Sequence, residues 1–267
     1  MNTKHIRLAS SPWGFRQTPL ENQCAWLAEQ GFQYICGQFF DAPGCFPLNP
    51  TPEELAAGKK LTQSQGLSYA SVNVNGDFTV HENVDAQIAL ACRDVDNAAT
   101  LQPEVLIIFA GWENRDDQAV YDQASAALKQ IAQYAAKYKL PLALENHGGV
   151  TSTIEQCNRL LAGADEPNLG LNYDPANFAM HGEDPLRALQ RLEHPIVFTH
   201  FKSLKRVGGK KEYCRLCEGE IDYPPILRLL RDRGYDGFYT LEYEEPSDVF
   251  AGTLDDRKSL FGWLEKI

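Results

Sequence analysis

No stretch of about 18 apolar residues occurs anywhere in the 267-residue sequence, so no membrane span is expected. The first ten residues hold Lys4, His5 and Arg7, and no apolar run follows them, so no signal peptide is expected either. Positive charge is scarce: 25 Lys and Arg face 36 Asp and Glu, a formal net charge of -11. That balance argues against nucleic-acid partners, whose phosphates need basic residues in excess, and against anionic membranes. The seven cysteines are odd in number and scattered. They read as reduced thiols of a cytoplasmic protein, not as a disulfide framework. Cys214 and Cys217 form a CxxC pair, but with no second pair near them they read as incidental. No low-complexity segment or linker divides the chain, so one domain spanning 1–267 is expected.

What is present is an alternation. Short apolar runs at 6–10, 32–40, 67–74, 105–110, 141–145, 169–173, 195–201 and 238–243 have the composition of strands. Longer amphipathic stretches lie at 20–30, 51–65, 82–99, 116–138, 154–161, 222–233 and 255–267, and Asp184-Pro185 opens another. The clearest is 116–138. There Val120, Ala124, Ala127, Leu128, Ile131, Ala135 and Tyr138 recur at spacings of three and four and make one apolar stripe. Eight βα units of this total length predict a closed (β/α)8 TIM barrel of the α/β class. The rival, an open doubly wound sheet, usually carries a glycine-rich turn after its first strand. Here that turn reads Ser10-Ser11-Pro12-Trp13-Gly14.

Barrel enzymes carry their chemistry at the C-terminal ends of the strands. The fifth run ends in Leu144-Glu145, the sixth is followed by Asp174, the seventh reaches His200 and the eighth reaches Glu242. Four neighbouring strands thus deliver Glu145, Asp174, His200 and Glu242 to one rim. Three carboxylates so placed repel one another unless a cation sits among them. Three oxygen donors and one imidazole suit a single divalent ion, Mn²⁺ or Mg²⁺ first, with Co²⁺ and Zn²⁺ as alternatives.

The segments Leu144-Glu145-Asn146-His147-Gly148-Gly149, Asn172-Tyr173-Asp174-Pro175-Ala176-Asn177, His200-Phe201-Lys202 and Gly219-Glu220-Ile221-Asp222-Tyr223 resemble the xylose-isomerase-like barrels of the sugar phosphate isomerase/epimerase superfamily. Gly234-Tyr235-Asp236-Gly237-Phe238 is similar to that family's last helix–strand turn. The resemblance is firmest over 140–245. It implies that Glu145, Asp174, His200 and Glu242 bind one divalent ion and that Glu145 and Glu242 form the acid/base pair. A hydrogen beside a carbonyl is too weakly acidic for an unaided carboxylate, and a metal on the carbonyl oxygen stabilises the enediolate. One glutamate takes the proton and the other returns it. Return to the other face epimerises, and return to the neighbouring carbon isomerises.

Other residues are candidates for substrate binding. His147 lies two beyond Glu145. Asn177 stands where the 3-epimerases resembled here commonly carry histidine, and Thr151 where they have a further glutamate. Lys202 matches a lysine of the dehydratase and inosose-processing branches, and Arg206 a substrate-binding arginine of the 3-epimerases. Trp13 and Trp112 follow the first and fourth strands, where a ring could stack on a sugar. Lys202, Lys205, Arg206, Lys210, Lys211 and Arg215 make a basic island in an acidic chain, with Gly208-Gly209 inside it to let it move. Such a loop could close over a phosphate or carboxylate.

The expected activity is therefore that of a metal-dependent isomerase or epimerase of a sugar or sugar phosphate, in a chain that could form homo-oligomers. A lyase that dehydrates a keto-sugar, inosose or dehydroshikimate-type acid would use the same site. A DNA-repair phosphodiester hydrolase shares the barrel. It would need several metals and a basic face, which six histidines and a charge of -11 do not favour.

Overall fold

The computed structural model describes residues 6–267; Lys4 and His5, counted above in reading the N-terminus, lie outside the described residues. The strands are β1 (Arg7–Ser10), β2 (Tyr34–Gln38), β3 (Ser68–Val74), β4 (Val105–Ile108), β5 (Leu142–Glu145), β6 (Leu169–Tyr173), β7 (Ile196–Phe201), β8 (Ser203–Val207), β9 (Lys210–Cys214) and β10 (Phe238–Leu241). All but β8 and β9 form one closed parallel barrel in the order β1-β10-β7-β6-β5-β4-β3-β2. Arg7 pairs with Phe238 and Ser10 with Leu241, so the last strand closes on the first. The (β/α)8 barrel expected from the alternation is the fold observed.

Around it lie α1 (Leu20–Glu29), α2 (Pro52–Ser64), α3 (Val84–Leu101), α4 (Gln118–Ala136), α5 (Ile154–Ala164), α6 (Pro175–Met180), α7 (Pro185–Arg191), α8 (Tyr223–Asp232) and α9 (Val249–Leu264). Local chemistry sets their starts. Thr51 and Glu54 close a capping box on α2, and Thr153 and Gln156 close one on α5. Asp117 caps α4, and Asp184 followed by Pro185 caps α7. Among the described residues no helix is long and apolar enough to cross a membrane, and all seven cysteines are free.

The strand pleat sorts the core into two layers. Leu8, Ile35, Tyr69, Leu106 and Leu142 face outward into the main cluster shared with the helices. Ala9, Cys36, Ala70, Val105, Ile107, Ala143, Phe198 and Phe238 form a separate cluster inside the barrel. Phe198 and Phe238 supply its bulk, their rings 5.5 Å apart. A buried phenylalanine of this kind is worth about 3–5 kcal/mol against alanine. Side chains alternate with period two. The next inward positions above this plug are therefore Ser11 above Ala9, Glu145 above Ala143, His200 above Phe198, and Thr240 then Glu242 above Phe238. The parity that plugs the barrel also aims the polar residues into its mouth.

Three segments differ from the expectation. The short helix α6 follows Asp174 directly, where no helix was expected. The last helix begins at Val249, six residues before the expected start. The segment read as a mobile basic loop is an antiparallel hairpin, β8 on β9, with Val207 opposite Lys210. Gly208 and Gly209, at φ +57° and +85°, form its two-residue turn. Positive φ at both turn residues is what a tight hairpin requires, so these glycines make a turn and not a hinge.

Candidate metal and catalytic site

Glu145 ends β5, Asp174 follows β6, His200 is the penultimate residue of β7 and Glu242 follows β10. Each offers a donor atom, and the four atoms lie within 4.8 Å of one another. All four side chains are buried. Opposed ligands of one ion with bonds of ~2.1 Å stand about 4.2 Å apart, so the separation is of the right size. His200 Nδ1 is 3.3 Å from Glu145 Oε2 and 3.4 Å from Glu242 Oε2.

The surroundings orient each ligand. Asp174 caps α6: its Oδ1 accepts from the backbone N–H of Ala176 and of Asn177, at 2.8 and 3.0 Å. Its Oδ2 accepts no well-formed hydrogen bond among the described residues, and the nearest cation is Lys202 Nζ at 3.2 Å. Asn172 Nδ2 donates to Glu145 Oε2 at 2.9 Å and Asn177 Nδ2 to Glu145 Oε1 at 3.1 Å. Ser11 donates to Glu242 Oε1 at 2.6 Å. A buried imidazole nitrogen, His200 Nε2, with no hydrogen-bond partner among the described residues, set beside three carboxylates, makes a donor set that a divalent cation satisfies. The residues therefore fit one ion.

Lys202, buried to 2% exposure, lies beside this set. Its Nζ is 2.7 Å from Glu242 Oε2, 2.8 Å from Glu244 Oε1 and 3.2 Å from Asp174 Oδ2. Burial would push the Lys202 ammonium down, but the three carboxylates hold it well above its ordinary range. His200 behaves alike: burial opposes its charge, and Glu242 and Glu145 raise it well above the usual imidazole value. Burial raises the Asp174 carboxyl to about 7 against the pull of Lys202. Burial also acts on Glu242, but His200 and Lys202 hold it well below the usual carboxylate range.

The mouth above these groups is a cavity of about 440 Å³, and Glu145, Glu242, Lys202, Glu244, His147, Trp13 and Trp112 line it. Asp174 and His200 do not reach its wall. Carboxamides of Gln38, Asn73, Asn75 and Gln87 line the side formed after β2 and β3 and at the start of α3. His147 packs edge-on to Phe109 and Trp112, with ring centroids 5.2 and 5.3 Å away, and burial lowers its basicity.

Residues 24–267 match the family described as the xylose isomerase-like TIM barrel. The chain belongs to that family. Among curated relatives, the inosose dehydratase of Lactiplantibacillus plantarum is 28% identical over 143 residues, which cover 47% of each chain. The chain thus spans about half the length of that relative. Among solved structures, a D-tagatose 3-epimerase-like protein aligns with a TM-score of 0.81 at 19% identity, covering 97% of both chains. A xylose isomerase-like TIM barrel protein from Mycobacterium smegmatis in complex with magnesium aligns with a TM-score of 0.81 at 19% identity, covering 99% of this chain and 98% of that one. At such identities the structural likeness establishes the barrel.

Within this family member the remaining candidates separate. His147, Lys202, Trp13 and Trp112 reach the cavity. Asn177 does not line it and meets Glu145 instead. Arg206 is not brought to the site: it projects from the exposed part of β8, and its backbone N–H and guanidinium both face the Glu220 carboxylate. Three more members of the basic island are likewise occupied outside the cavity. Lys205 pairs with Glu218, Lys211 bonds the carbonyls of Ala179 and Met180, and Arg215 pairs with Asp248 and Asp255. Thr151 donates within its own turn, to the carbonyl of Gly148 at 2.8 Å.

Several site residues escaped the sequence reading. Asn172 lies two before Asp174, Ser11 two after the inward Ala9, and Glu244 two after Glu242. Period-two parity from a known inward residue would have singled out each of them.

Proposed function

We propose that this chain is a divalent-metal-dependent isomerase or epimerase of a polyhydroxy ketone. The observation that carries this is the division of labour among the four ligands: Glu145 and Glu242 line the cavity, whereas Asp174 and His200 do not. Two carboxylates at the wall can exchange protons with a bound molecule, and the two buried ligands serve to hold the cation. Glu145, Asp174, His200 and Glu242 would hold the ion, with Mn²⁺ first because three of the four donors are carboxylates. When bound, such an ion supplies the positive charge that makes a hydrogen beside a carbonyl acidic.

The protein's own groups do the rest. Glu145, set by Asn172 and Asn177, and Glu242, set by Ser11 and Lys202, approach from strands on either side of β6 and β7. One removes the proton and the other delivers it. The Asn73 carboxamide, the Asn75 side-chain carbonyl and the Gln87 amide nitrogen offer acceptors and donors for hydroxyl groups, the Asn75 nitrogen and the Gln87 oxygen being engaged within the protein.

Lys202 supports a second reading. An ammonium at the cavity wall could assist a departing hydroxyl, which would make the reaction a dehydration, as the name of the inosose dehydratase relative suggests. Incubation with metal and a panel of ketoses and inososes in D₂O, followed by proton NMR, tests both readings. Deuterium beside the carbonyl with no loss of water supports isomerisation or epimerisation. A vinyl or enol signal supports dehydration. Neither signal with any substrate at full metal occupancy refutes both.

A further inference from the structure

The cavity wall carries more than the proton-transfer reading uses. Asp77, Glu145, Glu242 and Glu244 all line it, and Asp174 lies directly behind. Among the described residues Lys202 is the one cation on that wall, and three of those carboxylates already hold its ammonium. Arg16 is near but turned away: its guanidinium lies over the Trp13 ring at 4.5 Å and donates to the carbonyls of Trp13 and Glu244. With one divalent ion added, these five carboxylates and one ammonium still leave the cavity two charges negative. A phosphate or carboxylate on the substrate would meet repulsion and find no free donor of charge-assisted bonds. The basic hairpin does not supply one, because none of its cations lines the cavity, and Lys205, Arg206, Lys211 and Arg215 are engaged elsewhere.

The outer end of the same cavity is aromatic. Trp13 and Phe40 stand edge to face at 5.6 Å, and the Phe109 and Trp112 rings lie tilted to each other at 5.4 Å, with His147 edge-on to both of the latter. Of the eight exposed large hydrophobic side chains among the described residues, three, Phe40, Leu48 and Trp112, ring this mouth. Trp112 is 54% exposed, whereas Glu145 at the inner end is 2% exposed. Apolar rings gathered at the mouth of a polar pocket are surface that a ligand covers.

We infer that the substrate is an uncharged polyhydroxy ketone bearing an apolar ring at the end remote from the carboxylates, and not a sugar phosphate or sugar acid. The ketone rests on the proposed function above; the absence of charge and the apolar ring rest on the cavity wall alone.

The test uses the full chain loaded with Mn²⁺ and three probes on one sugar frame: methyl β-D-glucopyranoside, phenyl β-D-glucopyranoside and glucose 1-phosphate. None has a free carbonyl, so calorimetry reads binding without turnover. The phenyl glycoside should bind about tenfold or more tightly than the methyl glycoside, and the phosphate more weakly than either. Trp112→Ala, at an exposed position where folding is safe, should weaken the phenyl glycoside several-fold more than the methyl glycoside and so erase the phenyl advantage; equal weakening of both overturns the assignment of the ring to this mouth. Equal binding of the two glycosides, tightest binding of the phosphate, or no binding of any probe at tens of millimolar overturns the inference. A chain that binds one Mn²⁺ and exchanges deuterium but shows a flat probe series defeats only this inference. A chain that prefers the phenyl probe but shows no metal-dependent exchange defeats only the proposed chemistry.

Discussion

Asp174→Asn gives the sharpest test of the metal site, because it removes charge and leaves shape. The carboxylate Oδ1 caps α6 through two backbone N–H groups, and an asparagine Oδ1 can accept the same two bonds. Oδ2, 3.2 Å from the Lys202 ammonium, becomes an amide nitrogen and can no longer serve as the proposed ligand, while Lys202 keeps Glu242 and Glu244 as partners. Without metal, the substitution takes one negative charge out of a buried cluster in which burial already disfavours the charged form of Asp174. The metal-free variant should therefore be at least as stable as the metal-free wild type. With metal the order reverses. An ion present at about a thousandfold over its Kd stabilises the wild type by about 4 kcal/mol. A chain of 267 residues has an unfolding entropy of about 0.56 kcal/mol per degree, so the wild type should gain about 7 °C in Tm. The variant, short of one ligand, should gain little. Thermal unfolding of both proteins in EDTA and in excess Mn²⁺ measures all four values. A variant that melts well below the wild type in EDTA, or that gains as much from Mn²⁺, refutes the assignment of Asp174 as an ion ligand held at an electrostatic cost.

Asn177→Ala removes the donor to Glu145 Oε1; loss of an outer partner typically weakens metal binding 10–100-fold, and a titration followed by calorimetry should find a shift of that size. Arg206→Ala should leave kcat and KM within about twofold, since its guanidinium pairs with Glu220 on the surface and such pairs contribute about 0–1 kcal/mol; a large rise in KM would return Arg206 to the substrate. Asp256 lies far down the chain on α9, buried, accepting the Leu216 N–H with one oxygen and with the other unpartnered. Burial raises its carboxyl from 3.8 to about 7. A raised folded-state value means that the folded chain holds the proton more tightly, so stability is fullest below about pH 4 and falls as pH rises to about 7. Asp256→Asn should flatten that fall, by up to about 3–4 kcal/mol at pH 7 and above. Denaturant melts of both proteins from pH 4 to 8 decide the point, and parallel profiles would rule it out.

The barrel was legible because its signals are repeated. Buried parallel strands read as short apolar runs, and their spacing is regular even where single boundaries are not. Where the reading drifted, a local effect took over. α9 starts at Val249 in a stretch whose apolar residues, Phe250 and Leu254, point partly to solvent, so amphipathic periodicity there is weak. The hairpin was hidden because β8 and β9 pair only with each other and carry charges on their exposed faces. A two-stranded ribbon whose charged residues are mostly Lys and Arg has no apolar run to announce it, and its one strong signal, Gly208-Gly209, suits a tight turn as well as it suits a mobile loop.

The clustering of the four proposed ligands was legible for a simpler reason: each sits at or just past the end of its strand, where the apolar run stops and a polar residue is conspicuous. The groups that position them were not, because an asparagine or serine inside or just after a strand looks ordinary in a list of residues. Parity restores the distinction. Asn172, Ser11 and Glu244 each lie two residues from an inward side chain and so share its face. The same rule explains the outcome at Lys202 and Arg206. Lys202, two beyond His200, stays on the inner face and meets three carboxylates. Arg206 has the same even spacing, yet by that point the chain has left the barrel for the hairpin, where the rule of the sheet no longer points inward. A basic residue near the active rim in sequence is therefore evidence of substrate charge only when its strand still belongs to the barrel. Here that criterion leaves one lysine, already neutralised, in a cavity of acids.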